Sequence, residues 1–337
     1  MKNDFSTNFD NYKGKNVMIL GGAGFIGSNL AKALTLLNAE VVIINKNIGE
    51  KKHALVDYMG QQNFVLSEGN LLEPESYEDF LRKADIVINL AGANGSLNSI
   101  KNPVENLRIN CEGHLLFLES CRRMDKKVKL IFASSRLVYG ETGRYGVTED
   151  IKTEPKDIYA IHKLTAEYYY SLYANMYPKI ESMIVRMTNP FGPAPRYSNK
   201  KSGYNFINST ILKVLMSEEI TVYGDGKQLR DYIYIDDLVE AVLGLANVEA
   251  SKGEIFNIGS GNSICIMDAI LQMFITSGKE YKVRKIEWPS DNLLVETGDF
   301  KADITKIERI CNWKPRFRYQ EGLRKTIEFL KNQYNLP

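Results

Sequence analysis

The chain has little of what builds metal centres or disulfide frameworks. Among its 337 residues are four cysteines and three histidines. Cys111, Cys121, Cys265 and Cys311 lie far apart with no CxxC pair, and His53, His114 and His162 lack metal-ligand spacing, so neither a zinc site nor a disulfide scaffold is expected. No apolar run reaches the ~18 residues a membrane helix needs. The amino-terminal stretch MKNDFSTNFDNYKGK is polar, without the apolar core of a secretory leader. A cytoplasmic protein is the expectation. Charge of one sign is lacking too: 43 Lys and Arg stand against 41 Asp and Glu, a net charge of +2, which is no footprint for nucleic acid or an anionic membrane.

What is present is an ordinary globular composition, 44% hydrophobic and 25% charged, at a length that suits one large domain or two intimate ones. The first half alternates short β-rich runs with longer helical patterns. Val17 to Leu20, Val41 to Ile44, Phe64 to Leu66, Ile86 to Leu90, Val128 to Ala133 and Ser182 to Arg186 read as buried strands; Phe25 to Leu37, Pro74 to Lys83, Pro103 to Arg123 and Tyr159 to Tyr177 read as helices. That alternation predicts an α/β fold, a doubly wound parallel sheet of the Rossmann type. After Arg186 the cluster Asn189-Pro-Phe-Gly-Pro-Ala-Pro breaks the pattern. A loose tail is expected over 1–14, the dinucleotide-binding domain over 15–188 with a return around 222–250, and a smaller mixed α/β substrate lobe over 189–221 and 251–337. The cleft between them is the expected site.

The segment Gly21-Gly-Ala-Gly24-Phe25-Ile26-Gly27 follows the first strand and opens the first helix. Glycines at 21, 24 and 27 allow a tight turn, close approach of backbone to a pyrophosphate, and helix–strand packing, while the helix N-terminus supplies N–H donors. This context points to a dinucleotide. The residue that reads the adenosine ribose at the end of the second strand is commonly acidic; here it is Asn45, followed by Lys46. NAD fits if Asn45 binds the ribose, and NADP fits if Lys46 meets a 2'-phosphate. Both stay open at this point.

Tyr159 and Lys163 are four residues apart on a helix, so phenol and ammonium share a face. A cation beside a phenol lowers its pKa and makes Tyr159 a usable base. Upstream, Ser134 and Ser135 end a buried strand, with Ser134 read as structural; His162, inside the helix motif, is read as a surface residue.

These elements together, with Asn110-x-x-Gly113, Arg186-x-x-Asn189-x-x-Gly192-Pro193, Val222-Tyr-Gly-Asp-Gly226, Arg230-Asp231-Tyr232 and Phe256-Asn257-Ile258-Gly259, resemble the extended short-chain dehydrogenase/reductases. Within them the chain is similar to the nucleotide-sugar epimerases and dehydratases, of the UDP-glucose 4-epimerase kind, from about Lys15 to Pro315. The resemblance implies that Tyr159 is the acid/base, that Lys163 binds the nicotinamide ribose and tunes it, and that Ser135 hydrogen-bonds the sugar. It implies cofactor contacts at Gly21, Gly24, Phe25, Ile26, Gly27, Asn45, Lys46, Asn70, Leu71, Leu90, Ala91, Gly92 and Asn110. Substrate contacts are implied at Ser135, Arg136, Asn189, Asn205, Phe206, Tyr223, Arg230 and Asp291, with Asn189 and Arg230 on the diphosphate. Family members place a further Arg near Trp288, where this chain has Glu287 and Trp288. The basic loop Arg196 to Lys201, leading to Tyr204, is expected to close over the substrate or to be a solvated surface loop.

The resembling dehydratases carry an Asp-Glu pair directly after the catalytic hydroxyl, and the sugar-acid decarboxylases keep a Glu there. This chain has Arg136 and Leu137, so neither reaction is expected. Epimerisation through a keto sugar, with C4 the commonest carbon, needs no further acid or base. The alternatives are a dehydrogenase or reductase with net redox change, and a silent dinucleotide-binding protein. The partner expected is a nucleotide-diphosphate sugar, and the long helices from Pro103 and Tyr159, by analogy with the family, predict a homodimer.

Overall fold

Four consecutive apolar residues, Val17 to Leu20, can be buried only where both faces of a strand are covered. The computed structural model, which describes residues 9–49, 55–143, 146–194, 205–249 and 253–336, shows such a strand. The strands in chain order are β1 (Asn16–Leu20), β2 (Glu40–Asn45), β3 (Phe64–Glu68), β4 (Ile86–Asn89), β5 (Val128–Ser135), β6 (Gly146–Val147), β7 (Ile180–Met187), β8 (Asn189–Phe191), β9 (Ile220–Tyr223), β10 (Leu229–Arg230), β11 (Tyr232–Tyr234), β12 (Ile255–Ile258), β13 (Ile264–Cys265), β14 (Val283–Ile286) and β15 (Lys301–Ala302). Seven form one parallel sheet in the order β3-β2-β1-β4-β5-β7-β12. The order reverses between β1 and β4, which is where such sheets bind ligands.

The helices are α1 (Phe25–Leu36), α2 (Glu78–Lys83), α3 (Ser96–Lys101), α4 (Pro103–Leu107), α5 (Gly113–Arg122), α6 (Ile158–Met176), α7 (Phe206–Leu215), α8 (Ile235–Asn247), α9 (Ile266–Ser277), α10 (Ser290–Leu294), α11 (Thr305–Cys311) and α12 (Tyr319–Tyr334). Strand alternation sorts the core into two clusters. Val17 and Ile19 pack with Leu30 and Leu34 of α1 and Val239 and Leu243 of α8. Met18 and Leu20 face the other way, onto Phe117 and Leu118 of α5 and Ala166 and Tyr170 of α6. The smaller lobe carries the paired strands β8–β11, β9–β14 and β10–β13 with α7, α9 and α12. No helix among the described residues is long and apolar enough to cross a membrane.

Three expectations change. Phe9 to Gly14 is not loose: Phe9 and Tyr12 are buried, and the Tyr12 hydroxyl donates to the carbonyl of Leu243 at 2.8 Å, pinning the segment to α8. Two aromatics in a polar stretch were enough to anchor it. Ile255–Ile258, placed by sequence in the smaller lobe, is the edge strand of the main sheet, paired with β7. The helical stretch from Pro103 is broken by a π turn, Arg108–Glu112, between α4 and α5. Arg196 to Lys201 and Tyr204 lie outside the described residues.

Candidate active site

The glycine loop joins β1 to α1 at the switch point. Gly21 has φ +75°, and a Cβ there would lie 2.9 Å from the Ala91 backbone N, so the loop Leu90-Ala91-Gly92 after β4 can approach only a glycine. At Gly27 a Cβ would meet Gly22 Cα at 2.5 Å, which fixes the helix–turn packing. Gly24 differs. Its φ is −81° and its nearest would-be contact is the Gly21 carbonyl oxygen at an ordinary 3.4 Å, so the fold itself does not require glycine there. Gly24 is also the N-cap of α1 and has no side-chain cap, leaving the first N–H groups of the helix, those of Phe25, Ile26 and Gly27, without intrahelical partners. An open donor set behind a glycine not demanded by packing fits a dinucleotide pyrophosphate.

The other implied cofactor residues separate into those that face the cleft end of the sheet and those spent on structure. Asn45 ends β2, buried, its amide donating to the Lys46 carbonyl at 2.8 Å, while Lys46 is exposed. Asn70 is committed to its own turn, donating to Glu73 at 2.9 Å and accepting from the Leu72 N–H; Leu71 is buried in the core. Asn110 sits on the π turn, fully buried, and brackets Ala93: it accepts from the Ala93 N–H and donates to the Ala93 carbonyl, both at 2.9 Å. Its Oδ1 would be 2.8 Å from a Cβ on Gly92. Asn110 therefore shapes the β4 loop, and the π turn is the device that aims it there.

Asp157 caps α6 through its Oδ1, which accepts from the Ala160 N–H at 2.7 Å. The first turn then places Tyr159 beside Ser135, whose hydroxyl acts on the phenol while accepting from the Leu137 N–H at 3.2 Å. Lys163 is buried one turn on, donating to the Ala133 carbonyl at 2.8 Å, with its Nζ 6.0 Å from the Tyr159 ring centre. The three catalytic candidates are thus together at the carboxyl end of β5. Their titration departs from the sequence reading. Burial, then the Asp157 carboxylate, pushes the Tyr159 phenol up to about 12, and Ser135 alone works against this. Burial pushes Lys163 down to about 8, opposed by Glu167. The ammonium is committed to the strand carbonyl and does not depress the phenol here.

Beneath this triad lies a buried polar network that motif spacing had not singled out. Ser134 donates to Glu167, and Glu167 pairs with Arg186 at 2.6 Å with both side chains buried. Arg186 lies over the Tyr139 ring at 4.7 Å, and the Tyr139 hydroxyl donates to Asn257 at 2.6 Å. Glu167 follows Lys163 by four residues, so the Tyr159–Lys163–Glu167 spacing was a signal available in the sequence. His162 is a correction: it is buried, with Nδ1 2.8 Å from Asn106 Oδ1, because α4 packs against α6 there.

On the substrate side, Asn189 donates to the Asp231 carbonyl at 2.9 Å and Asn205 caps α7, accepting from the Asn208 N–H at 2.9 Å. Phe206 and Asp291 are exposed, and Tyr223 packs on Trp288 at 5.4 Å between ring centres. Arg230 is buried and tied to the carbonyls of Leu229 and Gly298 and to the carboxylate of Glu296. The acid facing Arg230 is therefore Glu296; Glu287 is exposed. Arg136 is buried and donates to the Thr297 hydroxyl at 3.0 Å.

A glycine loop at the switch point of a parallel sheet, with a Ser–Tyr–Lys triad across from it, defines a dinucleotide-dependent enzyme acting on an alcohol. The family model "NAD dependent epimerase/dehydratase family" matches residues 17–259, and the chain belongs to that family. A putative UDP-glucose 4-epimerase of Methanocaldococcus jannaschii is 30% identical over 317 residues, covering 94% of this chain and 98% of that one. UDP-glucuronic acid decarboxylase 1 of Xenopus tropicalis is 29% identical, covering 95% of this chain and 73% of the relative. Among solved structures, UDP-glucuronic acid 4-epimerase from Bacillus cereus, in complex with UDP-glucuronic acid and NAD, superimposes with a TM-score of 0.83 at 26% identity, covering 94% of this chain and 99% of that one. The protein is an enzyme of the nucleotide-sugar epimerase and decarboxylase group, and its dinucleotide is NAD.

Proposed function

We propose that the enzyme interconverts two nucleotide sugars that differ in configuration at C4, through a keto sugar that stays in the site. The observation that carries this reading is the turn after the catalytic hydroxyl. Arg136 and Leu137 occupy it, and Ser135, Tyr159 and Lys163 supply no carboxyl acid or base. Removal and return of one hydroxyl proton is what this set can do, and epimerisation asks for no more. Ser135 orients the sugar hydroxyl, Tyr159 takes its proton and gives it back, and Lys163 holds the nicotinamide ribose. NAD, when bound at the glycine loop, supplies the hydride acceptor and donor. The 4-epimerase names of the M. jannaschii and B. cereus proteins support C4; the decarboxylase relative marks the competing reaction, for which a uronate would lose its carboxyl group.

The same reading includes a homodimer. On α6, Ile161, Tyr168, Leu172 and Met176 form one exposed apolar stripe, and Val104, Leu107 and Leu115 on α4 and α5 add a second. A contiguous apolar face of this kind supports a partner helix pair across a two-fold axis.

Mass spectrometry of the dinucleotide released from denatured, freshly purified protein tests the epimerase reading. Retained NAD or NADH is expected, because a self-recycling enzyme does not exchange its cofactor. Protein that keeps none, and turns over only with added cofactor, would point to net oxidation or reduction.

A further inference from the structure

Arg136 has no part in the chemistry just described, yet it directly follows the catalytic Ser135 and is only 7% exposed. A guanidinium carries five N–H donors. Among the described residues Arg136 has one hydrogen-bond acceptor, the Thr297 hydroxyl, and its carbon lies 5.0 Å from the centre of the Phe300 ring. The charged groups that act on it are Arg230, Glu296 and Asp231. Among the described residues neither carboxylate accepts a hydrogen bond from it. Glu296 accepts from Arg230 and from the Gly298 N–H. Asp231 accepts from the N–H and hydroxyl of Ser260, the Thr188 hydroxyl and the Ala302 N–H.

A second unspent donor lies beside it. Tyr232 is 5% exposed and its hydroxyl has no hydrogen-bond partner among the described residues. Both Arg136 and Arg230 act on that phenol. Burial and the neighbouring Arg230 hold the Arg136 guanidinium down at about 10, well below the ordinary arginine range. A buried phenol with no acceptor, beside a buried guanidinium with a single acceptor for its five N–H groups, is a costly arrangement unless a ligand completes it.

We propose that Arg136, assisted by the Tyr232 hydroxyl, reads an oxyanion on the substrate next to the reacting sugar. The proposal rests on the nucleotide-sugar reading of the Ser135–Tyr159–Lys163 site. Two parts of such a substrate offer this chemistry: a carboxylate on the sugar, making the substrate a uronic acid derivative, or the diphosphate. The distance along the chain favours the sugar, since Arg136 starts ~3.8 Å, one Cα step, from the residue that holds the sugar hydroxyl.

The test is calorimetric binding of UDP-glucuronic acid, UDP-glucose and UDP to the NAD-loaded enzyme and to its Arg136→Leu and Tyr232→Phe variants. Thermal melting and NAD content serve as controls for folding. Loss of about 10–100-fold in affinity for UDP-glucuronic acid alone, in both variants, is the expected result and identifies a sugar carboxylate. A similar loss for all three ligands supports the oxyanion site and moves its source to the diphosphate. Unchanged affinities in folded Arg136→Leu protein would overturn the proposal while leaving the nucleotide-sugar reading intact. If the unmodified enzyme bound no member of the series, nor the GDP, CDP and dTDP counterparts, the nucleotide-sugar reading itself would fail.

Discussion

Tyr159 and Lys163 hold pKa values displaced away from each other, the phenol up to about 12 and the ammonium down to about 8, both chiefly through burial. Spacing along the helix led to the opposite expectation for the phenol, because it treated the cation as free to face the ring; the ammonium instead donates a hydrogen bond to the Ala133 carbonyl. The role proposed for Tyr159 still stands, because of the two it is the phenol on which the Ser135 hydroxyl acts. Tyr159→Phe should therefore lower kcat by at least 10²–10⁴-fold, roughly the contribution of one positioned acid/base, with the NAD content of the purified protein unchanged. Glu167 supports the pair from below. Glu167→Gln leaves the buried Arg186 without its counter-charge and should cost about 3–5 kcal/mol in denaturant unfolding. If the variant melted with the wild type, the network would be of no structural consequence.

At the scale of elements, two glycines of one loop should respond differently to the same change. Gly27→Ala forces a methyl to 2.5 Å from the Gly22 backbone and should destabilise the fold measurably. Gly24→Ala meets protein at an ordinary 3.4 Å and should fold normally, yet bind NAD about tenfold or more weakly, because the methyl projects where the pyrophosphate approaches. Equal melting temperatures with equal NAD affinity would contradict that assignment. This loop, the strand–helix alternation and the Tyr159–Lys163 pair were legible because each depends on near neighbours: two residues for a strand, four for a helix face, six for the glycine turn. What was not legible depends on residues remote in sequence. Glu296 reaches Arg230 across 66 positions. His162 is buried by Asn106, 56 positions away, and Tyr12 is anchored by Leu243, 231 positions away. The strand Ile255–Ile258 is short and follows a lobe boundary, so its return to the sheet left no periodic trace. The basic loop at Arg196 to Lys201 lies outside the described residues.

The molecule as a whole sets one apolar face outside its two cores. Tyr168 is 65% and Leu172 52% exposed on α6, in line with Met176 one turn further on. Leu172→Glu together with Tyr168→Glu should convert a dimer to a monomer in light scattering at micromolar concentration, with no loss of folded structure, since neither side chain belongs to the interior. A monomer mass for the unmodified protein would remove the dimer from the account. Proton NMR of UDP-glucose and UDP-glucuronic acid incubated with the purified enzyme, with no cofactor added, distinguishes the reactions open to it. One of them should convert to a stable mixture with its C4 epimer without accumulation of NADH; appearance of a pentose nucleotide with release of carbon dioxide, or NADH formed in proportion to product, would rule out C4 epimerisation as the reaction.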